Sequence, residues 1–303
     1  MTISDAPAVT RRKLLKGSAG LAAVPKRVVR NGRINQSVAF WCFNSTDAKW
    51  DLEQTCRTAR SLGCRSVELV DPEGWDAIKK HGLACALSPN GMPDPPFIKG
   101  INNPRYHDEV VGRTTQTIAK CAAFGVPNVI AFTGQKWRDA QDPKSGEISL
   151  EEGANNSVKA LKALAGHAER NNVTICLEML NSRDTSHAMR GHPGYQGDDL
   201  DYCAEIVRRV GSPRVKLLFD VYHVQIMNGD LIRRIRQHKE SIAHVHVAGN
   251  PGRGELDGKQ EINFPAVMRA LLEVGYKGYV GHEFMPTRDP LQSLMEAVAV
   301  CDV

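Results

Sequence analysis

From residue 37 onward, short apolar runs rich in β-branched residues alternate with longer stretches whose apolar residues recur every three to four positions. Eight runs read as strands, at 37–43, 66–70, 84–87, 128–132, 173–178, 215–220, 242–247 and 278–283. The stretches between them read as amphipathic helices. One at 52–62 starts behind Asp51, a capping residue type, and one at 106–124 carries Val110, Val111, Ile118, Ala122 and Ala123 at helical spacing. A third, at 158–170, ends at Asn171-Asn172, and a fourth, at 199–210, closes on Gly211-Ser212-Pro213. Two more span 264–274 and 290–300.

Eight strand–helix units in about 266 residues predict a single α/β domain, a closed parallel (β/α)₈ TIM barrel, over residues 37–303. The strands are almost continuously apolar, as expected where both faces are buried. An open, doubly wound sheet would show a glycine-rich turn after its first strand. Here the first strand runs into Cys42-Phe43-Asn44-Ser45-Thr46. The long connections, 88–103, 133–150, 179–198 and 248–263, all follow strands, which places them on the rim where barrel active sites form.

The charge is +5, but it is unevenly spread. Residues 1–36 hold eight Lys/Arg against Asp5, a surplus of +7, which leaves the remainder at −2. A slightly acidic barrel is no footprint for a phosphate backbone, so no nucleic-acid partner is expected. Within the basic segment, Thr10-Arg11-Arg12-Lys13-Leu14-Leu15-Lys16 precedes a short run of small apolar residues. Residues 1–36 therefore read as a twin-arginine-like leader, implying periplasmic export, or as a disordered basic tail on a cytoplasmic protein. No apolar run is long enough to span a membrane. The eight cysteines form no CxxC pair and sit in apolar runs, so they read as buried thiols.

Chemistry enters where polar residues interrupt the strands. The last four strands end in Glu178, Asp220, the pair His244/His246, and Glu283. Consecutive barrel strands are neighbours, so these tips can converge. A single such carboxylate reads as a loop cap or salt-bridge partner. Four in succession read as a site, because buried carboxylates are costly unless paired or bound to metal. His244 and His246 share a strand face, and His246 lies nearer the rim. Glu178, Asp220, His246 and Glu283 thus predict one divalent metal ion, with Mn²⁺, Mg²⁺ or Co²⁺ favoured by the oxygen donors and Zn²⁺ as the alternative. His282 faces the other way and reads as a core or supporting histidine. His223 lies one turn past Asp220, and Arg253, in a turn-rich loop, can clamp an anionic or hydroxylated substrate. Glu68 and Arg183 are further candidates for substrate contact, with rim salt bridges as the alternative.

The runs Leu177-Glu178-Met179-Leu180-Asn181-Ser182-Arg183, Phe219-Asp220-Val221-Tyr222-His223, Asn250-Pro251-Gly252-Arg253 and Gly281-His282-Glu283 resemble the hydroxypyruvate isomerase family. That family is a branch of the xylose-isomerase-like barrels, which also hold the ketose 3-epimerases. The resemblance covers about residues 37–303 and implies an isomerase acting through an enediolate on a small hydroxy-carbonyl compound. Hydroxypyruvate, converted to tartronate semialdehyde, is the leading substrate. A ketose 3-epimerase or keto-inositol isomerase is the second reading, and a non-catalytic sugar-binding barrel a third. The resemblance also implies that Glu178 and Glu283 are the catalytic acid/base pair and that His223 and Arg253 bind substrate. One position departs: His246 stands where the isomerase branch can carry glutamine and the epimerases carry histidine. A DNA-repair endonuclease on a related barrel would need more metal-binding histidines, and strands one to four end without one. A homo-oligomer is compatible with everything above.

Overall fold

The structure is a computed structural model and describes residues 27–303. Seven parallel strands form one curled sheet. In chain order they are β1 (Asn35–Ala39), β2 (Ser66–Glu68), β3 (Asn128–Phe132), β6 (Thr174–Glu178), β7 (Val215–Asp220), β8 (Ile242–Val247) and β9 (Tyr279–His282). Their spatial order is β2-β1-β9-β8-β7-β6-β3. Between β3 and β6, a loop expected to be irregular instead holds an antiparallel hairpin, β4 (Trp137–Asp139) and β5 (Asp142–Glu147).

The expected eighth strand, at 84–87, closes the barrel between β2 and β3 without forming a regular ladder. Parallel bridges join Ser66 to Ala84 and Ser88 to Val129. Between them, Ala86 uses side chains instead of a neighbouring backbone. Its N–H donates to Ser66 Oγ (2.9 Å) and its carbonyl accepts from Asn128 Nδ2 (2.8 Å). The pairing groups are satisfied, as buried backbone requires, but by polar side chains that no periodicity in 84–87 reveals.

Helices wrap the sheet: α1 (Phe40–Asn44), α2 (Leu52–Leu62), α3 (Trp75–Lys80), α4 (His107–Phe124), α5 (Leu150–Asn171), α6 (Leu200–Val210), α7 (Val221–Met227), α8 (Leu231–His238), α9 (Phe264–Glu273) and α10 (Pro290–Cys301). Their ends follow local chemistry. Asp51 accepts from Gln54 N–H at the start of α2, and Asp199 from Tyr202 N–H at the start of α6. Gly63 and Gly211 close the same helices in the left-handed region. Helix α5 begins at Leu150, well before the expected 158, because Ser149 caps it.

Two boundaries differ from the periodic reading. The first strand ends at Ala39, and the apolar run after it coils into α1, where Phe43 packs on Trp50 (5.0 Å) and edge-on to Phe284 (5.6 Å). An apolar run this short carries no signal separating strand from buried helix. At the other end, residues 27–36 belong to the fold. Val29 and Ile34 are buried, Val28 and Val29 donate to the Leu62 carbonyl, and Asp302 accepts from the N–H groups of Arg30, Asn31 and Gly32. The arginine-rich composition of the segment masked these two apolar anchors. The twin-arginine-like motif lies outside the described residues. All eight cysteines are buried and free. Among the described residues no helix is long and apolar enough to cross a membrane.

Candidate metal centre and active-site cavity

Parallel pairing lines up the strand tips. Asp220 is the register partner of His246, and Val247 that of His282, so Glu283 follows directly beyond. Glu178 closes β6 on the far side of β7. The ligand atoms of Glu178, Asp220, His246 and Glu283 all lie within 4.8 Å of one another, and all four residues are buried. His246 Nδ1 is 2.9 Å from Glu283 Oε2 and 3.6 Å from Glu178 Oε1. Glu178 Oε1, Asp220 Oδ2 and His246 Nδ1 have no hydrogen-bond partner. Buried polar atoms are normally satisfied, so three orphans converging on one point fit a cation. The donor set, three carboxylates and one imidazole, suits a divalent metal.

The environments of the two glutamates diverge. Burial pushes the Glu178 carboxyl up to about 7, although His246 pulls against it. Burial also acts on Glu283, but the charges of His246 and Arg253 outweigh it and hold this carboxyl well below its usual range. Arg253 Nη2 donates to Glu283 Oε2 (2.6 Å) and Trp41 Nε1 to Glu283 Oε1 (2.8 Å). Burial pushes Asp220 up to about 6, with Arg253 opposing.

The four ligand positions and the two substrate-facing candidates are brought together. His223 is fully buried, and its Nδ1 accepts the Asn181 backbone N–H (3.1 Å). The proton must then sit on Nε2, which lies 3.6 Å from Asp220 Oδ2. Burial and the Arg253 charge hold this histidine neutral, well below its usual range. Arg253 is placed by a tight hairpin, Gly249 N–H to the Gly254 carbonyl at 2.8 Å, with Arg253 itself at φ 55°. A left-handed arginine costs about 1 kcal/mol, so its surroundings must over-determine it. Met285 N–H donates to the Arg253 carbonyl, and Arg253 Nη1 donates to the Met189 carbonyl.

Two candidates are displaced. Glu68 does not reach the cavity; its Oε1 accepts from His246 Nε2 (2.7 Å) and His244 Nε2 (2.9 Å) behind the rim cluster. Strand β2 ends at Glu68, whose side chain is fully buried inside the barrel. Arg183 is exposed and donates to the Ile226 carbonyl (2.8 Å), outside the cavity. His282 points away from the cluster, its Nε2 2.7 Å from Gln36 Oε1.

A cavity of about 720 Å³ opens onto Glu178, Glu283 and Arg253. Its walls include Trp41, Leu69, Phe97, Phe132 and His192, with Asp71 and Asp94 also lining it. Of these, Trp41 and His192 were missed as functional candidates. Trp41 sits in the run mistaken for strand. His192 lies in a loop with no periodicity, where it packs against Phe97 (4.3 Å) and burial holds it neutral, at about 3.

Fold and site together define an α/β-barrel enzyme with a cation-ready cluster on its C-terminal rim. The description of the xylose isomerase-like TIM barrel family matches residues 56–301, and the chain belongs to that family. The chain is 29% identical to the hydroxypyruvate isomerase of Escherichia coli over 246 residues, covering 78% of this chain and 89% of that protein. It is 26% identical to a ketose 3-epimerase of Arthrobacter globiformis, covering 80% and 78%. A solved L-ribulose 3-epimerase shares the fold at a TM-score of 0.67 with 20% identity, covering 88% and 92%. The protein is an isomerase of this barrel family.

Proposed function

We propose that the protein is a metal-dependent isomerase that moves a proton between adjacent carbons of a small hydroxy-carbonyl compound. Hydroxypyruvate, giving tartronate semialdehyde through an enediolate, is the leading substrate. The observation that carries this reading is the convergence of three unpartnered, buried ligand atoms with Glu283 at a substrate-sized cavity. A divalent cation held by Glu178, Asp220, His246 and Glu283, with Mn²⁺, Mg²⁺ or Co²⁺ favoured by donor chemistry, would supply Lewis acidity to the substrate.

The chain's own residues do the rest. Glu283, whose Oε2 accepts from Arg253 Nη2 and whose Oε1 accepts from Trp41 Nε1, takes the proton from carbon. Glu178, whose Oε1 faces the cation position, returns a proton to the adjacent carbon from its other carboxyl oxygen. His223 offers its Nε2–H to a substrate oxygen, and the unpartnered Nε of Arg253 is a donor for a carboxylate. Phe97, Phe132 and Leu69 shield the reacting carbons from water.

One observation favours a keto-sugar instead. A three-carbon acid fills little of a 720 Å³ cavity, whereas a ketose reaches its outer walls. Turnover in D₂O with Mn²⁺-loaded enzyme separates the two. Hydroxypyruvate should give tartronate semialdehyde with deuterium at C2. Exchange at C3 of a ketose, with hydroxypyruvate inert, would replace the first reading by the second. No metal-dependent exchange in either substrate sinks both.

A further inference from the structure

Behind the metal centre lies a second buried cluster of Glu68, His244 and His246, all fully shielded from solvent. His246 belongs to both clusters and turns one ring nitrogen to each. Its Nδ1 faces Glu178 and Glu283, while its Nε2 lies 2.7 Å from Glu68 Oε1. An imidazole can present a lone pair at Nδ1 only if its proton is at Nε2, and an acceptor there fixes that choice. The same Glu68 oxygen also takes His244 Nε2 at 2.9 Å. The backbone makes room for this. A Cβ at position 281 would collide with Glu68 Oε1 and crowd His246 Cδ2 at 2.8 Å, and the residue there is Gly281. Gly281 is also the register partner of His246, so the vacant side-chain space lies where the carboxylate crosses.

We propose that Glu68 is a positioning residue for the metal site: it holds the His246 proton on Nε2 and the ring in place, so that Nδ1 is directed to the cation. The three polar groups also fit a second metal ion by type. Against that, both histidine nitrogens that face Glu68 already sit at hydrogen-bond distance from one carboxylate oxygen, leaving them engaged by protons. His244 donates to Glu68 and packs edge-on against the His246 ring (4.9 Å), but it brings no ligand atom to the rim cluster, so its part is secondary. The inference rests on the reading that the rim cluster holds a metal.

The test is calorimetric titration of Mn²⁺ into the metal-free full-length protein, with the ¹⁵N-coupled proton signal of His246 Nε2–H recorded in parallel. The wild type should bind one equivalent and show that proton far downfield. Glu68→Gln should weaken Mn²⁺ about 10–100-fold and move the proton signal upfield. Glu68→Asp, which shortens the carboxylate but keeps its charge, covers the case in which the Gln variant does not fold, and should shift both readouts in the same direction. His244→Gln keeps a donor to Glu68 and should stay near wild type. Unchanged affinity and an unchanged His246 signal in a folded Glu68 variant overturn the proposal, as does an equal loss in His244→Gln or a stoichiometry of two. If the wild type takes up no Mn²⁺, the proposed function fails, and the His246 proton signal still decides whether Glu68 sets the ring.

Discussion

The two halves of the barrel are built differently. From β6 through β9 the parallel registers run out to the tips that carry Glu178, Asp220, His246 and the step into Glu283. From β2 to β3 the sheet is held by a three-residue strand and two isolated bridges, with Ser66 and Asn128 standing in for backbone partners. The regular half holds four groups within a few ångströms, which a ligand set needs. The irregular half needs no such precision. It lines the cavity with Leu69, Pro89 and Phe97, where a broken ladder lets the chain swing outward. Glu68 is the link between them, reaching from the short β2 to His246 on β8.

The largest break should come in the regular half. Glu283→Gln is expected to lower kcat about 10²–10⁴-fold while leaving far-UV circular dichroism unchanged. Wild-type turnover by this variant would remove Glu283 from the chemistry.

Metal removal comes next, and its effect should depend on pH. Glu178 and Asp220 are pushed up to about 7 and about 6, chiefly by burial, so the folded protein prefers them protonated. In the metal-free state their contribution is favourable below the ordinary carboxylate range and is lost as pH rises through those values. Glu283 is shifted the other way, and its contribution is lost only at lower pH. A bound cation offsets the mutual repulsion once the carboxylates ionise. Saturating Mn²⁺ should therefore raise Tm more at pH 8 than at pH 5, with a gain of about 4 kcal/mol at a thousandfold excess over Kd. An equal gain at both values would contradict this coupling of protons to metal.

In the irregular half the expected losses are in stability. Asn128→Ala leaves the Ala86 carbonyl buried without its donor, which should cost about 1–3 kcal/mol in urea unfolding, with metal affinity close to wild type. A loss of metal affinity on the same scale would show that the two halves are not separable. The smallest effect should be that of Arg183→Ala. Its side chain is exposed and bonded to a helix-end carbonyl, so kcat/KM should change by less than about twofold in steady-state assays.

Much of this was legible beforehand, for physical reasons. A residue at the end of an apolar strand can only lie at the tip, and parallel neighbours bring tips together. Strand-tip position alone therefore brings Glu178, Asp220, His246 and Glu283 together. Such reasoning fails where two structures share one pattern. The run of residues 40–43 is equally apolar as strand or as buried helix, so Trp41 was hidden as a donor to Glu283. Glu68 showed the right residue type in the right place, but its partners, His244 and His246 on a distant strand, and the open space over Gly281 depend on the packed barrel. Likewise the basic composition of residues 1–36 hid Val29 and Ile34, which the barrel buries at its base.

The amino-acid sequence by itself determined the alternation of elements, the closed parallel architecture and the four polar strand tips, because periodicity and burial cost act locally along each strand. The tertiary structure alone decided which nitrogen of His246 faces the carboxylates, which glutamate is held ionised, and which polar groups stand behind the site. Those depend on distances of a few ångströms between residues far apart in the chain, and no pattern along one strand encodes them.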